Sequence, residues 1–195
     1  MATVTGLRAR PRKRVAVELD GVPWRTLPLE PVVRAGLAVG RELDRASARR
    51  LRRELRQAEA LAVAGRSLRA RDLSTRRLRD WLERASVSPA ARDEAVNTLS
   101  RAGVVDDARF ASARARALAE RGYGDRAITA DLERQGVPGE LWSGALAELQ
   151  PESERAGRVV QRRGRGTGTA RFLAAKGFNE EALEAALGAD FADDP

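Results

Sequence analysis

The sequence predicts an all-α fold, an elongated array of three tandem three-helix repeats, preceded by a small N-terminal β-hairpin. Three observations carry this reading. Residues 101–149, laid over the preceding segment at an offset of about 50, place Ser74 on Gly124, Leu78 on Ile128, Leu82 on Leu132, Val87 on Val137 and Leu99 on Leu149. A forward shift of about 41 places Leu132 on Leu173, Gly136 on Gly177, Val137 on Phe178 and Leu146 on Leu187. The matched positions are apolar at helical spacing or are the glycine closing a helix, and self-similarity at this period marks units that cannot bury their apolar faces alone. Third, Asp20-Gly21 separates two alternating runs, the strongest short-range hairpin signal. The expected divisions are residues 1–27 (basic arm and hairpin), 28–57 (helical leader), 58–102, 103–150 and 151–187 (the three repeats), and 188–195 (acidic tail).

In chain order, Arg8–Arg14 carries five positive charges in seven residues and reads as a solvated strand or arm. Val15, Val17 and Leu19 then alternate with polar or small residues. A two-residue loop at Asp20-Gly21 pairs Leu19 with Val22 and Val17 with Trp24 on one apolar face, and Pro23, in the opposite phase, suits an edge strand. Pro31, Val32, Val33 and Leu37 mark a short helix ended by Gly36 or Gly40. The segment 44–61 is a longer helix, with Leu51, Leu55, Ala58 and Leu61 inward and Arg49, Arg50, Arg52, Arg53 and Arg56 on the other face.

Ser74 is the expected N-cap of a helix through Leu78, Trp81 and Leu82. Ser88-Pro89 opens the next, with Ala91, Ala95, Val96 and Leu99 inward; proline costs little in a first turn. Gly103 stops it. Asp106 or Asp107 caps a helix carrying Phe110, Ala113, Ala117 and Leu118. After the turn Gly122-Tyr123-Gly124, Ile128 and Leu132 face inward until Gly136, and Pro138 begins a further helix. Pro151-Glu152 starts the last repeat with Ala156, Val159 and Val160. The segment 161–168 reads as a loop, followed by Phe172, Leu173, Gly177-Phe178 and a final helix through Leu183 and Leu187. The end, Asp190–Pro195, is acidic.

The hydrophobic content of 43% suffices for a core, and 4% aromatics make it a core of Leu, Val and Ala. The net charge of +8 and a pI near 11.1 point to an anionic partner. Residues 1–80 hold 20 Lys/Arg against 9 Asp/Glu, and residues 81–195 hold 16 against 19, so the attraction is loaded towards the front. With no Cys there is no disulfide, thiolate nucleophile or cysteine metal site, and with no His there is no imidazole base. The N-terminus lacks the apolar core of a signal peptide and no run reaches transmembrane length, so a cytoplasmic protein with no membrane partner is expected.

No group of nucleophile, base and orienting residue is legible, so the reading is of a protein that is not an enzyme and uses no cofactor or metal. The run Gly164-Arg165-Gly166-Thr167-Gly168-Thr169 follows a helix instead of a strand and lacks the Lys-Ser/Thr ending of a phosphate loop. Thr167 there reads as a helix cap. Asp106-Asp107 reads as a cap as well, since acidic groups at a helix N-terminus are stabilising by about 0.3–1 kcal/mol. Trp24, Trp81, Trp142 and Tyr123 all have core explanations at their spacings, which argues for backbone or acidic-surface contact over stacking on single strands.

Gly103–Ala111, reading GVVDDARFA, resembles a G-[YV]-[LV]-D-D-x-R-F-A signature of the RecX regulatory proteins, modulators of the bacterial recombinase RecA. Supporting it are Leu68-x-x-Arg71-x-x-Ser74, then Arg121-Gly122-x-Gly124 followed by Ile128-x-x-x-Leu132-x-x-x-Gly136, and Arg171–Leu187. Leu19-Asp20-Gly21 and Gly36–Leu43 are similar to that family's leader. Leu73, where the family often has a basic residue, and the short glycine-rich loop are departures. The resemblance implies a curved array lying in the groove of the RecA–DNA filament. It further implies inhibition of ATP hydrolysis and strand exchange, and so negative modulation of homologous recombination, DNA repair and the SOS response. The expected partners are the RecA filament and single-stranded DNA, with double-stranded DNA as a further candidate; the protein itself is expected to be a monomer. A sequence-nonspecific DNA-binding protein that competes for DNA is the alternative. The contact candidates are Arg76, Arg77, Arg79, Arg121, Arg126, Arg162, Arg163 and Arg171, which flank the second helices of the repeats.

Overall fold

A computed structural model describes residues 2–188, and these divide into two units: residues 2–71 with 79–99, and residues 72–78 with 100–188. The acidic stretch Asp190–Pro195 lies outside the described residues.

In the first unit the N-terminal sequence forms more sheet than one hairpin. Strands β1 (Ala2–Arg10), β2 (Arg14–Leu19) and β3 (Val22–Pro28) make an antiparallel meander, and β4 (Glu42–Leu43) pairs with β1, giving the order β3-β2-β1-β4. The basic run therefore sits at the tip of the β1–β2 hairpin, where Arg10 pairs with Arg14 and the turn places Arg12 and Lys13 at φ 59° and 53°. Asp20 and Gly21 both take positive φ, 48° and 81°, as a type I′ turn requires.

Leu19 pairs with Val22 as expected, but Val17 pairs with Arg25, not with Trp24. The ladder slips at Pro23, which has no amide to donate, and Trp24 becomes the extra residue of a bulge. The expected apolar face is lost with it. Val22 and Trp24 are 64% and 40% exposed, and the buried β3 residue is Leu27, opposite Val15. Val4, Val15, Val17 and Leu27 pack with Val32, Ala35, Leu37 and Leu51 into the first core.

Helix α1 (Leu29–Arg34) ends at Gly36, whose φ of 71° is the left-handed conformation that releases the chain. Helix α2 (Arg45–Leu68) starts on Asp44, whose carboxylate accepts the Ser47 amide at 2.7 Å. That hydrogen bond holds the Asp44 carboxyl below its ordinary pKa. The helix runs past Leu61 and crosses residue 57/58 without a break. Its later inward residues are Gln57, Ala60, Ala64 and Ser67, one position out of phase with Ala58 and Leu61. Helices α3 (Thr75–Arg84) and α4 (Pro89–Arg101) follow, with Leu78 and Leu82 fully buried. Burying each such leucine stabilises by about 1.5–3 kcal/mol.

In the second unit, α5 (Asp107–Glu120) is capped by Asp106, which accepts the Arg109 amide at 3.0 Å. Its buried face is Ala111, Ala115 and Leu118; Ala113 and Ala117 are exposed, because the helix begins in a phase that points them outward. Helix α6 (Asp125–Arg134), a 3-10 turn (Gly139–Leu141) and α7 (Trp142–Ala147) complete a core of Ala111, Ala115, Leu118, Ile128, Leu132, Val137 and Ala145. Helices α8 (Glu152–Arg163), α9 (Thr167–Ala175) and α10 (Glu180–Leu187) enclose a third core of Ala156, Val160, Leu173, Phe178, Ala182 and Leu187. The loop expected at 161–168 is only residues 164–166. Thr167 is the first helical residue, and Gly166 occupies the cap position.

Candidate contact surface

Two junctions in the second unit set the positions of the charged side chains. At the first, the buried Ser74 hydroxyl donates to the Gln135 carbonyl, and its oxygen accepts the Arg77 amide at 3.2 Å. The Thr75 amide donates to the Asp107 carboxylate at 2.7 Å. Gly136, at φ 72°, lies against the side chain of Arg76, where a Cβ would not fit unless that stem moved.

At the second, the Gly124 amide donates to the Lys176 carbonyl at 2.9 Å and the Arg126 amide to the Gly177 carbonyl at 3.1 Å. The Asp125 amide donates to the Glu152 carboxylate at 2.6 Å. A Cβ on Gly124 would overlap the backbone of Gly177 and Phe178, and one on Gly177 would lie 2.6 Å from the Ala127 nitrogen. In both places the start of one helix (α3, α6) meets the turn after another (α6, α9), and an acid at the first position of a further helix (α5, α8) accepts its first amide.

Two groups of cations stand apart in this unit. Arg114 and Arg134 grip Asp131, at 2.6 Å and 2.9 Å, and the Arg114 hydrogen bond holds that buried carboxyl below its ordinary pKa while raising its own guanidinium. Arg155, 5% exposed, pairs with Asp125 and donates to the Tyr123 and Gln150 carbonyls. Arg116 pairs with Glu148 at 3.5 Å. These are built into the fold. By contrast Arg121, Arg126, Arg162, Arg163, Arg171 and Lys176 form no ion pair with any described residue, and all but Lys176 are exposed.

Three of those side chains are organised around two half-buried rings. The Lys176 ammonium lies 4.0 Å from the Tyr123 ring centre and 5.8 Å from that of Phe172. Arg121 lies 5.7 Å from Tyr123, and Arg163 lies 4.1 Å from Phe172. The order is a ladder, Arg121–Tyr123–Lys176–Phe172–Arg163. Cations within about 6 Å of a ring centre are attracted by its quadrupole, by about 0.5–1 kcal/mol at exposed sites.

The structure brings together Arg121 and Arg163 of the eight predicted residues through this ladder. Arg126 adjoins it through its backbone bond to Gly177, whose predecessor is Lys176. Arg162 lines a groove of about 280 Å³ with Arg155, Arg158 and Val159, and Arg171 is exposed on α9. Arg76 and Arg77 belong to the first junction; Arg77 is half-buried, with its Nε 3.3 Å from Gln135 Oε1. In the first unit, Arg79 is ion-paired with Asp93 at 3.5 Å. Sequence reasoning missed Tyr123, Phe172 and Lys176. The Phe172–Lys176 spacing of four residues, from α9 to its C-cap, was the available signal for that pair; the turn residue Tyr123 gave none.

The core explanation of the tryptophans fails in the first unit. Trp24 is 40% exposed on its bulge and Trp81 36% exposed, with Arg71 and Arg84 at 5.0 Å and 5.7 Å from the Trp81 ring. Trp142 and Tyr123 are half-buried, and the Trp142 indole donates to the Val137 carbonyl at 3.1 Å. Among the described residues, no group of three or more acidic side chains could hold a metal, and no helix is long and apolar enough to cross a membrane.

Residues 106–146 match the family model described as RecX, second three-helix domain. A regulatory protein RecX of Xanthomonas oryzae pv. oryzae is 34% identical over 133 residues, covering 63% of this chain and 82% of the relative. One of Acidithiobacillus ferrooxidans is 32% identical over 151 residues, covering 71% and 97%. A crystal structure of regulatory protein RecX superposes with a TM-score of 0.83 at 18% identity, covering 95% of this chain and 98% of the other. The RecX structure from Lactobacillus salivarius gives 0.60 at 15% identity, covering 67% and 94%.

Proposed function

The chain belongs to the RecX family of regulatory proteins, and from that premise we propose that it binds the RecA–DNA filament and inhibits its ATP hydrolysis and strand exchange. It acts as a negative modulator of recombination, DNA repair and the SOS response in the cytoplasm. The observation that supports this best is the set of cations around the ladder that form no ion pair with any described residue, in the same unit as Arg114, Arg116, Arg134 and Arg155, which do. Cations that have no acidic partner within the fold suit an anionic partner outside it.

The matching junctions support reading residues 58–102, 103–150 and 151–187 as three stacked repeats, with α2 supplying the first helix of the first. Such an array touches several protomers of a helical filament at once, and weak contacts then add through effective concentration. Arg76, Arg77, Arg79, Arg121, Arg126, Arg162, Arg163 and Arg171 remain the proposed contacts, with Arg77 partly committed to its junction.

The deciding experiment titrates single-strand-stimulated ATP hydrolysis by the cognate recombinase, starting far below one copy per protomer. Inhibition at ratios too low to cover the DNA is expected. Inhibition only near DNA saturation, relieved by added single strand, favours the second reading, a DNA-coating competitor, to which the same unpaired cations also lend weight. Reversing Arg76, Arg77 and Arg79 to Glu should weaken inhibition with helical content intact; unchanged inhibition removes those residues from the contact.

A further inference from the structure

We propose that the ladder Arg121–Tyr123–Lys176–Phe172–Arg163 is a phosphate rail, which takes the sugar–phosphate backbone of a nucleic-acid strand without reading its bases. This rests on the reading above that the unpaired cations meet a partner, and it names that partner for one surface. Tyr123 and Phe172 act in it as positioning residues.

Lys176 stands against both rings, and Arg121 and Arg163 each stand against one. The ring surface is thereby committed to cations and is poorly placed to receive a base, so the stacking used by many single-strand binders does not fit here. A cation resting on a ring keeps its charge and its outward N–H groups, and those are the groups that contact phosphate. Long side chains normally lose rotamer freedom on binding, and rings that already hold them reduce that cost.

A protein partner fits less well. Protein interfaces centre on aromatic or aliphatic anchors in water-excluding pockets. Of the large hydrophobic side chains exposed among the described residues, only Val104 is in this unit; Val22, Trp24, Leu29, Val33, Val39 and Trp81 are all in the other. The ladder offers charge without an anchor, the composition that a uniform polyanion requires.

The test uses the full chain and three labelled probes, a mixed-sequence single-stranded oligonucleotide, one of the same length made wholly of abasic sites, and inorganic polyphosphate. Anisotropy is followed across a salt series. All three probes should bind within about threefold of one another at equal charge density. The variant Arg121→Gln/Lys176→Gln/Arg163→Gln should flatten the log–log salt slope on the oligonucleotide by about 2, three contacts at about 0.7 each. A charge-matched control, Arg49→Gln/Arg50→Gln/Arg52→Gln, should leave most of that slope intact. Tyr123→Leu/Phe172→Leu should weaken binding several-fold with no charge removed, and Tyr123→Phe/Phe172→Tyr, which keeps both ring faces, should restore it.

Tenfold weaker binding of the abasic strand would overturn the proposal, because bases would then be read. So would an unchanged slope in the ladder variant, or an equal loss in the control. The regulator reading fails separately: a wild-type chain that binds strands through the ladder yet leaves recombinase ATP hydrolysis untouched would sink that reading and spare this one.

Discussion

The two junctions of the second unit occupy matching places and use different chemistry. At the first, a buried serine hydroxyl reaches the Gln135 carbonyl and caps its own helix. At the second, Gly124 has no side chain, and its amide bonds directly to the Lys176 carbonyl with Arg126 bonding to Gly177. Removing the side chain lets two backbones approach; keeping it needs one more atom to span the gap. The shared requirement is that the first turn of a helix find acceptors, because its amides have none within the helix. How that requirement is met is local.

Four substitutions test that contrast. The largest effect is expected from Gly124→Ala, where the new Cβ overlaps the backbone of Gly177 and Phe178; a loss of about 3 kcal/mol should appear in chemical denaturation. Gly124→Ser, which installs the first junction's residue, should fail as badly, and wild-type stability in it would make the two junctions interchangeable. Ser74→Ala removes a cap and leaves the Gln135 carbonyl without its donor, for about 1–2 kcal/mol. Asp107→Ala removes the acceptor of the Thr75 amide, for about 1 kcal/mol.

The smallest effect is a pH dependence at Glu152. Burial pushes its carboxyl above the ordinary range, with the Asp125 carboxylate adding to the rise and the Asp125 amide opposing it. A raised native pKa means the native state binds the proton more tightly than the unfolded chain. Stability from this group is therefore full below the ordinary pKa of 4.5 and is lost as pH rises through the raised value. Glu152→Gln, which has no such loss, should gain slightly relative to wild type between pH 4 and pH 7.5, as read from unfolding midpoints at the two pH values. An identical difference at both would remove the burial argument.

Much of this molecule was legible in its sequence where one rule dominates. Apolar spacing found the helices, and glycines at positive φ found the ends of α1, α4, α5, α6 and α9. Asp44, Ser74 and Asp106 gave helix starts. The errors lie where two rules compete. Pro23 belongs by phase to an edge strand, but its missing amide also breaks the ladder, so Trp24 left the face that alternation assigned to it. Ala113 and Ala117 satisfy helical spacing as well as Ala111 and Ala115 do, and alanine carries too little apolar weight to decide the phase. The β1 strand was hidden because its end is charged, and charge alone reads as an arm. The contact candidates were named by charge type, which a sequence displays. Which arginines are spent on Asp125, Asp131 and Glu148 depends on distances across helices, and so does the pairing of Lys176 with a turn tyrosine.

The acid that accepts the first amide of α3 or α6 comes from a helix later in the chain, and the turn against which each start rests is later still. The coupling therefore has a direction, like a hook always facing one way. Lengthening such a molecule by duplication demands little invention at its far end: a new segment needs only an acidic residue opening its first helix and a left-handed glycine closing its second, set against the start of α9. At the near end the same addition would have to supply donors instead, and would meet a β-sheet and a helix already committed to their own core.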